Sequence, residues 1–162
     1  MSLYGKYMEI VDRYSEPLYW YIRRMVVSHE DAQDILQDTL LAAYRKLWQV
    51  RDESKLKSWV YRIATNRINR YFRTKARESS VEGLEDFGGM TYVDTSDKAE
   101  IKLQKAIKTL TPFQQTVFNL RYYDELGYDE ISAVTGSGTG SLKVVYHNAK
   151  EKIIKYLEDE QL

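Results

Sequence analysis

Ser58-Trp59-Val60-Tyr61-Arg62-Ile63-Ala64-Thr65-Asn66-Arg67-Ile68-Asn69-Arg70-Tyr71-Phe72-Arg73 is the stretch on which the reading of this chain turns. Wound at about 100° per residue, residues 59–77 divide into two faces. Val60, Tyr61, Ala64, Ile68, Tyr71 and Phe72 gather on one side. Arg62, Asn66, Asn69, Arg70, Arg73 and Arg77 gather opposite, in a stripe roughly 100° wide, with Trp59 near its edge. The pattern predicts a helix over residues 58–77, with one face for a core and one for a partner. That partner reads as nucleic acid. Arginine neutralises phosphates, asparagine pairs with adenine edges, and an aromatic ring stacks on an unstacked base. A plain solvated helix face is the alternative, but such faces mix signs. Residues 55–77 hold eight basic side chains and no acidic one.

The same asymmetry runs through the whole chain. Its formal net charge is zero, yet residues 1–77 carry 15 basic and 9 acidic side chains, and residues 78–162 carry 9 and 15. A basic half joined to an acidic half points to a polyanion as partner of the first.

Upstream of the basic helix, residues 10–25 predict a helix with Leu18, Tyr21, Ile22 and Met25 at core spacing. Ser28 is placed as an N-cap, with acidic residues filling the first turn of a helix that runs through Ile35, Leu36, Leu40, Ala43, Tyr44 and Leu47. Residues 51–54 read as a loop. Downstream, residues 78–97 hold Gly83, Gly88, Gly89 and six acidic side chains without an apolar period, as a flexible acidic linker would. A helix is predicted over 99–110. Thr111-Pro112-Phe113-Gln114 then opens another, with Thr111 as N-cap, Pro112 at the first position and Gln114 closing a capping box. A short helix over 128–135 ends at Gly136 in the left-handed conformation. A last helix over 139–158 carries Leu142, Tyr146, Ala149, Ile153 and Leu157 on one stripe. The expected fold is therefore all-α. Two small helical domains, 1–77 and 98–162, are joined by a linker over 78–97.

Residues 128–146 have helix-turn-helix form. Ser132 is small where the helices cross, Gly136 permits the turn, and Leu142 and Tyr146 pack the second helix back on the first. Thr139, Ser141, Lys143, His147 and Lys150 are the polar side chains that would lead into a major groove. A plain helical hairpin is the competing reading of this segment alone.

Other classes find little support. No apolar run approaches twenty residues, so no membrane insertion is expected, and the N-terminus lacks a secretory pattern. The absence of cysteine removes disulfides and thiolate metal sites and suits a reducing cytoplasm. The two histidines, His29 and His147, fall in different expected domains, and no carboxylate has a matched partner. The glycines at 136, 138 and 140 lack the Gly-Lys-Ser/Thr ending of a phosphate loop. No catalytic residue, metal or cofactor is expected, and the chain is not read as an enzyme.

In their order, these segments resemble the extracytoplasmic-function sigma factors of the sigma-70 superfamily, over most of the chain. Asp31-Ala32-Gln33-Asp34-Ile35-Leu36-Gln37-Asp38-Thr39 is similar to the family's "DAEDIVQET" helix, and residues 58–66 to its "TWLYRIARN" signature. Residues 110–118 resemble "LPPRQREVF", residues 126–131 "LSYEEI", and Gly140-Ser141-Leu142-Lys143 "GTVK". The resemblance implies a bacterial cytoplasmic factor that binds core RNA polymerase and directs promoter-specific initiation. By it, Asp31, Asp34, Gln37 and Asp38 would dock on the clamp helices of the largest subunit. Residues 50–56, with Leu56, would capture an unstacked base of the minus-ten element, beside Trp59, Arg62, Asn66, Arg70 and Arg73. Residues 139–150 would bind the minus-thirty-five element, and another surface of the second domain the flap of the second-largest subunit. An anti-sigma factor is a further implied partner.

The sequence departs from the pattern at several places. Val145 and Asn148 stand where the family usually has arginine. Thr135 and Ser137 replace apolar residues beside Gly136, and Leu56 replaces a common aromatic. Two rivals follow. One is a helix-turn-helix regulator independent of polymerase, which leaves the first half unexplained; the other is a sigma-mimicking adaptor.

Overall fold

The first helix begins earlier than its apolar period predicts. In the computed structural model of the chain, which describes residues 2–82 and 97–160 (the side chains of 79–82 excepted), helix α1 spans Leu3–Met25. Ser2 starts it, its Oγ accepting from the Gly5 N–H at 3.0 Å. Helix α2 spans His29–Lys46, and Ser28 caps it by accepting from the Asp31 N–H at 3.2 Å. A 3₁₀ turn over Leu47–Gln49 and another over Glu53–Lys55 lead into helix α3, Leu56–Glu82. Residues 51–54 are thus only partly a loop. Residues 78–82 continue α3 instead of opening the linker, and the rest of that linker, 83–96, lies outside the described residues.

Helices α1, α2 and α3 each pack on the other two. Ile10, Leu18, Tyr21 and Ile22 of α1, Ala32, Ile35, Leu36 and Ala43 of α2, and Val60, Tyr61, Ala64 and Ile68 of α3 form the buried interior. Each large apolar side chain so buried stabilises by about 1.5–3 kcal/mol. Tyr71, on the last core-facing turn of α3, donates its hydroxyl to Asp31 Oδ2 at 2.7 Å, in the first turn of α2. The two helices therefore run antiparallel, and α3 extends past the start of α2. For that reason Phe72, expected in the core, stands 36% exposed.

The second unit holds helix α4 (Lys98–Lys108), α5 (Pro112–Tyr122), α6 (Tyr128–Thr135) and α7 (Thr139–Glu160). Asp97 caps α4, its Oδ1 accepting from the Ala99 N–H. The capping box of α5 is present in both directions. The Gln114 N–H donates to Thr111 Oγ1 at 3.2 Å, and the Thr111 N–H donates to Gln114 Oε1 at 3.1 Å. Helix α7 packs on α4, α5 and α6, burying Leu142, Ala149 and Ile153, with Tyr146 and Leu157 half-buried. Gly136 has φ 82° and closes α6 by donating to the Ser132 carbonyl at 2.8 Å. The left-handed backbone there favours glycine. Gly138 and Gly140 have neither positive φ nor any neighbour that a β-carbon would meet.

Asn119 interrupts the apolar interior of the second unit. It is buried in α5, and neither amide atom has a hydrogen-bond partner among the described residues. An unpaired buried amide costs free energy that an apolar side chain of the same shape does not. Asn119→Leu is expected to raise the stability of the second unit by about 1–2 kcal/mol, read as an upward shift in the urea midpoint. An unshifted or lowered midpoint contradicts this account.

Candidate nucleic-acid and protein interfaces

The basic stripe of α3 lies at the surface. Arg62, Asn66, Asn69, Arg70 and Arg73 are exposed, while Val60, Tyr61, Ala64 and Ile68 on the opposite face are buried. Trp59 is half-buried at the edge between the two. Arg62, Arg70 and Arg73 make no ion pair among the described residues, so their charge is available to a polyanion. Position is held from within. Thr65 is buried, its Oγ1 donating to the Tyr61 carbonyl at 2.8 Å and lying 2.8 Å from Tyr21 Oη. The second contact joins α3 to α1, and turning α3 about its axis would break it.

Two cations join this face from a neighbouring helix. Arg45 and Lys46 of α2, with Arg67 and Arg70 of α3, line a groove of about 200 Å³ together with Asp38, Leu41 and Ala42. The sequence offers a weak signal for Arg45 and Lys46, because two cations in the last turn of a helix also serve its dipole.

The acidic turn of α2 divides in two. Asp34, Gln37 and Asp38 are exposed and share one side of the helix, a stripe continued by exposed Leu41, Tyr44 and Trp48. Asp31 differs. It is half-buried and receives the Tyr71 hydroxyl, so it braces α2 against α3. Burial, and then that hydrogen bond, pushes the Tyr71 hydroxyl well above the ordinary tyrosine range, which keeps its proton in place to donate.

Residues 50–56 are ordered by their own side chains. Asp52 Oδ1 accepts from both the N–H and the Oγ of Ser54, at 3.0 and 2.7 Å, and these bonds lower its carboxyl below the usual range. Leu56 is half-buried at the head of α3.

In the second unit, Ser141, Lys143, His147 and Lys150 are exposed on α7, and Thr139 at its start is half-buried. Leu142 between them is fully buried and anchors the helix. The Lys143 ammonium lies 5.8 Å from the Tyr128 ring centroid, and Arg121 lies 4.8 Å from the same ring. Arg121 was not singled out from the sequence; it reaches this surface by donating to the Leu126 carbonyl at 3.1 Å. The two histidines lie in different units, and no cluster of metal-ligating side chains occurs among the described residues. No described helix is long and apolar enough to cross a membrane.

Comparison with known proteins agrees with this two-part layout. Residues 10–78 match the family model of Sigma-70 region 2, and residues 100–153 match that of Sigma-70, region 4. The chain is 30% identical over 167 residues to the ECF RNA polymerase sigma factor SigW of Bacillus subtilis, covering 94% of this chain and 89% of that protein. It is 26% identical to the RNA polymerase sigma-H factor of Pseudomonas aeruginosa, covering 92% and 84%. Among solved structures, the sigma factor RpoE bound to the anti-sigma factor NepR, from Bartonella quintana, matches with a TM-score of 0.83 at 20% identity, covering 94% of this chain and 97% of that one. CnrH in complex with the cytosolic domain of CnrY matches with a TM-score of 0.70 at 20% identity, covering 94% and 88%. Those two likenesses speak for the fold. With SigW and the paired region 2 and region 4 matches, the chain belongs to the extracytoplasmic-function group of RNA polymerase sigma factors.

Proposed function

We propose that this sigma factor divides its work among the faces just described. Arg62, Asn66, Arg70 and Arg73, with Trp59 and Leu56, hold the minus-ten element. Asp34, Gln37 and Asp38 dock on the clamp of the largest polymerase subunit, with Asp31 behind them holding α2 in place. Thr139, Ser141, Lys143, His147 and Lys150 engage the minus-thirty-five element, and a further face of the second unit meets the flap of the second-largest subunit. The observation that supports this most is the α3 stripe: Arg62, Arg70 and Arg73, exposed and making no ion pair among the described residues, interleaved with asparagines on a helix fixed by its buried face. Cations gathered on one face release counterions when they meet phosphates, which favours binding. The protein acts in the cytoplasm, performs no catalysis of its own, and is held in check by an anti-sigma factor. That last point draws on the anti-sigma partner of the RpoE structure.

Run-off transcription with purified core polymerase and a promoter library tests the reading. Specific starts that need both proteins support it. DNA footprints without polymerase, or polymerase binding with no start site, count against it. Trp59→Ala and Asn66→Ala are each expected to slow open-complex formation about tenfold, the scale of one good base contact, with polymerase affinity nearly unchanged. Asp34→Ala with Gln37→Ala is expected to do the reverse, weakening polymerase binding at constant promoter preference. Equal losses in both assays from either set contradict a divided interface.

A further inference from the structure

The loop over residues 50–56 is braced by a part of the chain that lies outside the family match. Residues 10–78 match the region 2 model, whereas Lys6 and Glu9 precede it. The Lys6 ammonium lies 3.6 Å from Glu53 Oε1, across the gap between the first turns of α1 and the loop. Lys6, Glu9 and Arg13 recur at helical spacing and form one wall of a cleft; Leu47, Val50, Glu53 and Leu56 form the other. Arg13 pairs with Glu9 along α1 at 3.8 Å, so Lys6 is the cation of that wall that reaches the loop. Tyr7 packs edge-on against Tyr44 at 5.0 Å, which fixes this end of α1 to α2 while the Lys6 side chain extends away. Inside the loop, the Asp52–Ser54 contacts cap Glu53–Lys55, a single turn that leads directly into α3.

We infer that Lys6 is a specificity-determining positioning residue: through Glu53 it sets where the 53–56 turn, and with it Leu56, stands beside an unstacked promoter base. The inference rests on the minus-ten reading of this loop. The cleft holds about 50 Å³ and has the loop as one of its walls, so the space beside Leu56 depends on where the loop stands. An exposed ion pair is too weak to hold the fold together, yet of the right size to bias a short turn between two placements. Reversing the charge at position 6 sets two carboxylates against each other, pushes the turn away from α1 and relaxes the fit around the base.

The test uses the full chain with core polymerase and promoters that differ at one minus-ten base. Leu56→Ala first identifies the base at which the loop discriminates. The readout is the ratio of open-complex rates between the preferred and the next-best base there. Lys6→Glu and Glu53→Lys are each expected to lower that ratio roughly two- to fivefold, the scale of one exposed ion pair. The double exchange is expected to restore it, and Lys6→Arg to keep it. Polymerase affinity should not change in any of them. Single variants with an unaltered ratio, or a double exchange no better than the singles, overturn the inference. Should Lys6→Glu lower the unfolding midpoint, Lys6→Met carries the test, and an unaltered ratio there overturns it equally. If Leu56→Ala shifts no base preference, the minus-ten reading of the loop fails and the inference with it. If Leu56→Ala shifts the preference while Lys6 variants leave it alone, only the role of Lys6 fails.

Discussion

Tyr21→Ala is expected to unfold the N-terminal unit at a urea concentration at which the C-terminal unit is still folded. Tyr21 has no exposed surface, and its ring lies 5.4 Å from that of Tyr61. Its hydroxyl meets Thr65 Oγ1 at 2.8 Å, and Thr65 spends its own proton on the Tyr61 carbonyl, so Tyr21 is the donor in the first bond. Truncation to alanine removes an aromatic ring from a closed interior, which costs about 3–5 kcal/mol. A small domain has roughly 5–15 kcal/mol in total. Tyr21→Phe keeps the ring and loses one hydrogen bond, at a cost of about 1 kcal/mol. The two units can be followed separately, because Trp20, Trp48 and Trp59 are the only tryptophans and all lie in the first. Tryptophan fluorescence should therefore show a large downward shift in midpoint for Tyr21→Ala. Circular dichroism should split into two steps, the later one at the wild-type position. A single step seen alike by both probes contradicts separate cores.

How far the sequence foretells this depends on how local each cause is. Ser28, the Thr111–Gln114 box and Gly136 were legible because a cap acts within three or four residues of itself. The stripes Leu142–Ala149–Ile153 and Val60–Ala64–Ile68 were legible because burial repeats with the helical turn. What escaped depends on partners distant in sequence. Tyr7 of α1 meets Tyr44 of α2 only through the packing of the two helices, and that contact and the start at Ser2 were not foreseen. The far end of α3 reads as amphipathic, but Phe72 lies beyond the helix that would have covered it. Asp31 reads like Asp34 in a list of acidic residues; only the meeting of α2 and α3 brings it to Tyr71, 40 positions away. Likewise Arg45 and Lys46 look like dipole partners until the antiparallel packing sets them beside Arg67 and Arg70. The helices and their faces were thus written locally, whereas the full membership of each interface required the tertiary fold.

Replacing Arg62, Arg70 and Arg73 together by alanine is expected to cut promoter affinity of the holoenzyme on the order of a hundredfold at physiological salt, without unfolding the protein. All three are exposed and make no ion pair among the described residues, so their loss leaves no buried group stranded. Exposed substitutions of this kind change stability by about 0.5 kcal/mol or less. Hydrogen bonds to charged groups contribute roughly 1.5–3 kcal/mol each, so even partial engagement of three arginines reaches the stated loss. The more decisive quantity is the salt dependence. Each phosphate neutralised releases counterions, and the slope of log K against log salt is about −0.9 per contact on duplex and −0.7 on single strands. The triple variant should therefore show a slope shallower by roughly two to three. Replacing the same three by lysine keeps the charge and gives up the planar fork. That variant should retain the wild-type slope and lose only part of the affinity. Arg45, Lys46 and Arg67 remain in the groove beside Arg70 and should leave a residual slope in the alanine variant. If the alanine variant binds more weakly with an unchanged slope, the arginines do not meet phosphates, and the minus-ten assignment of α3 is wrong.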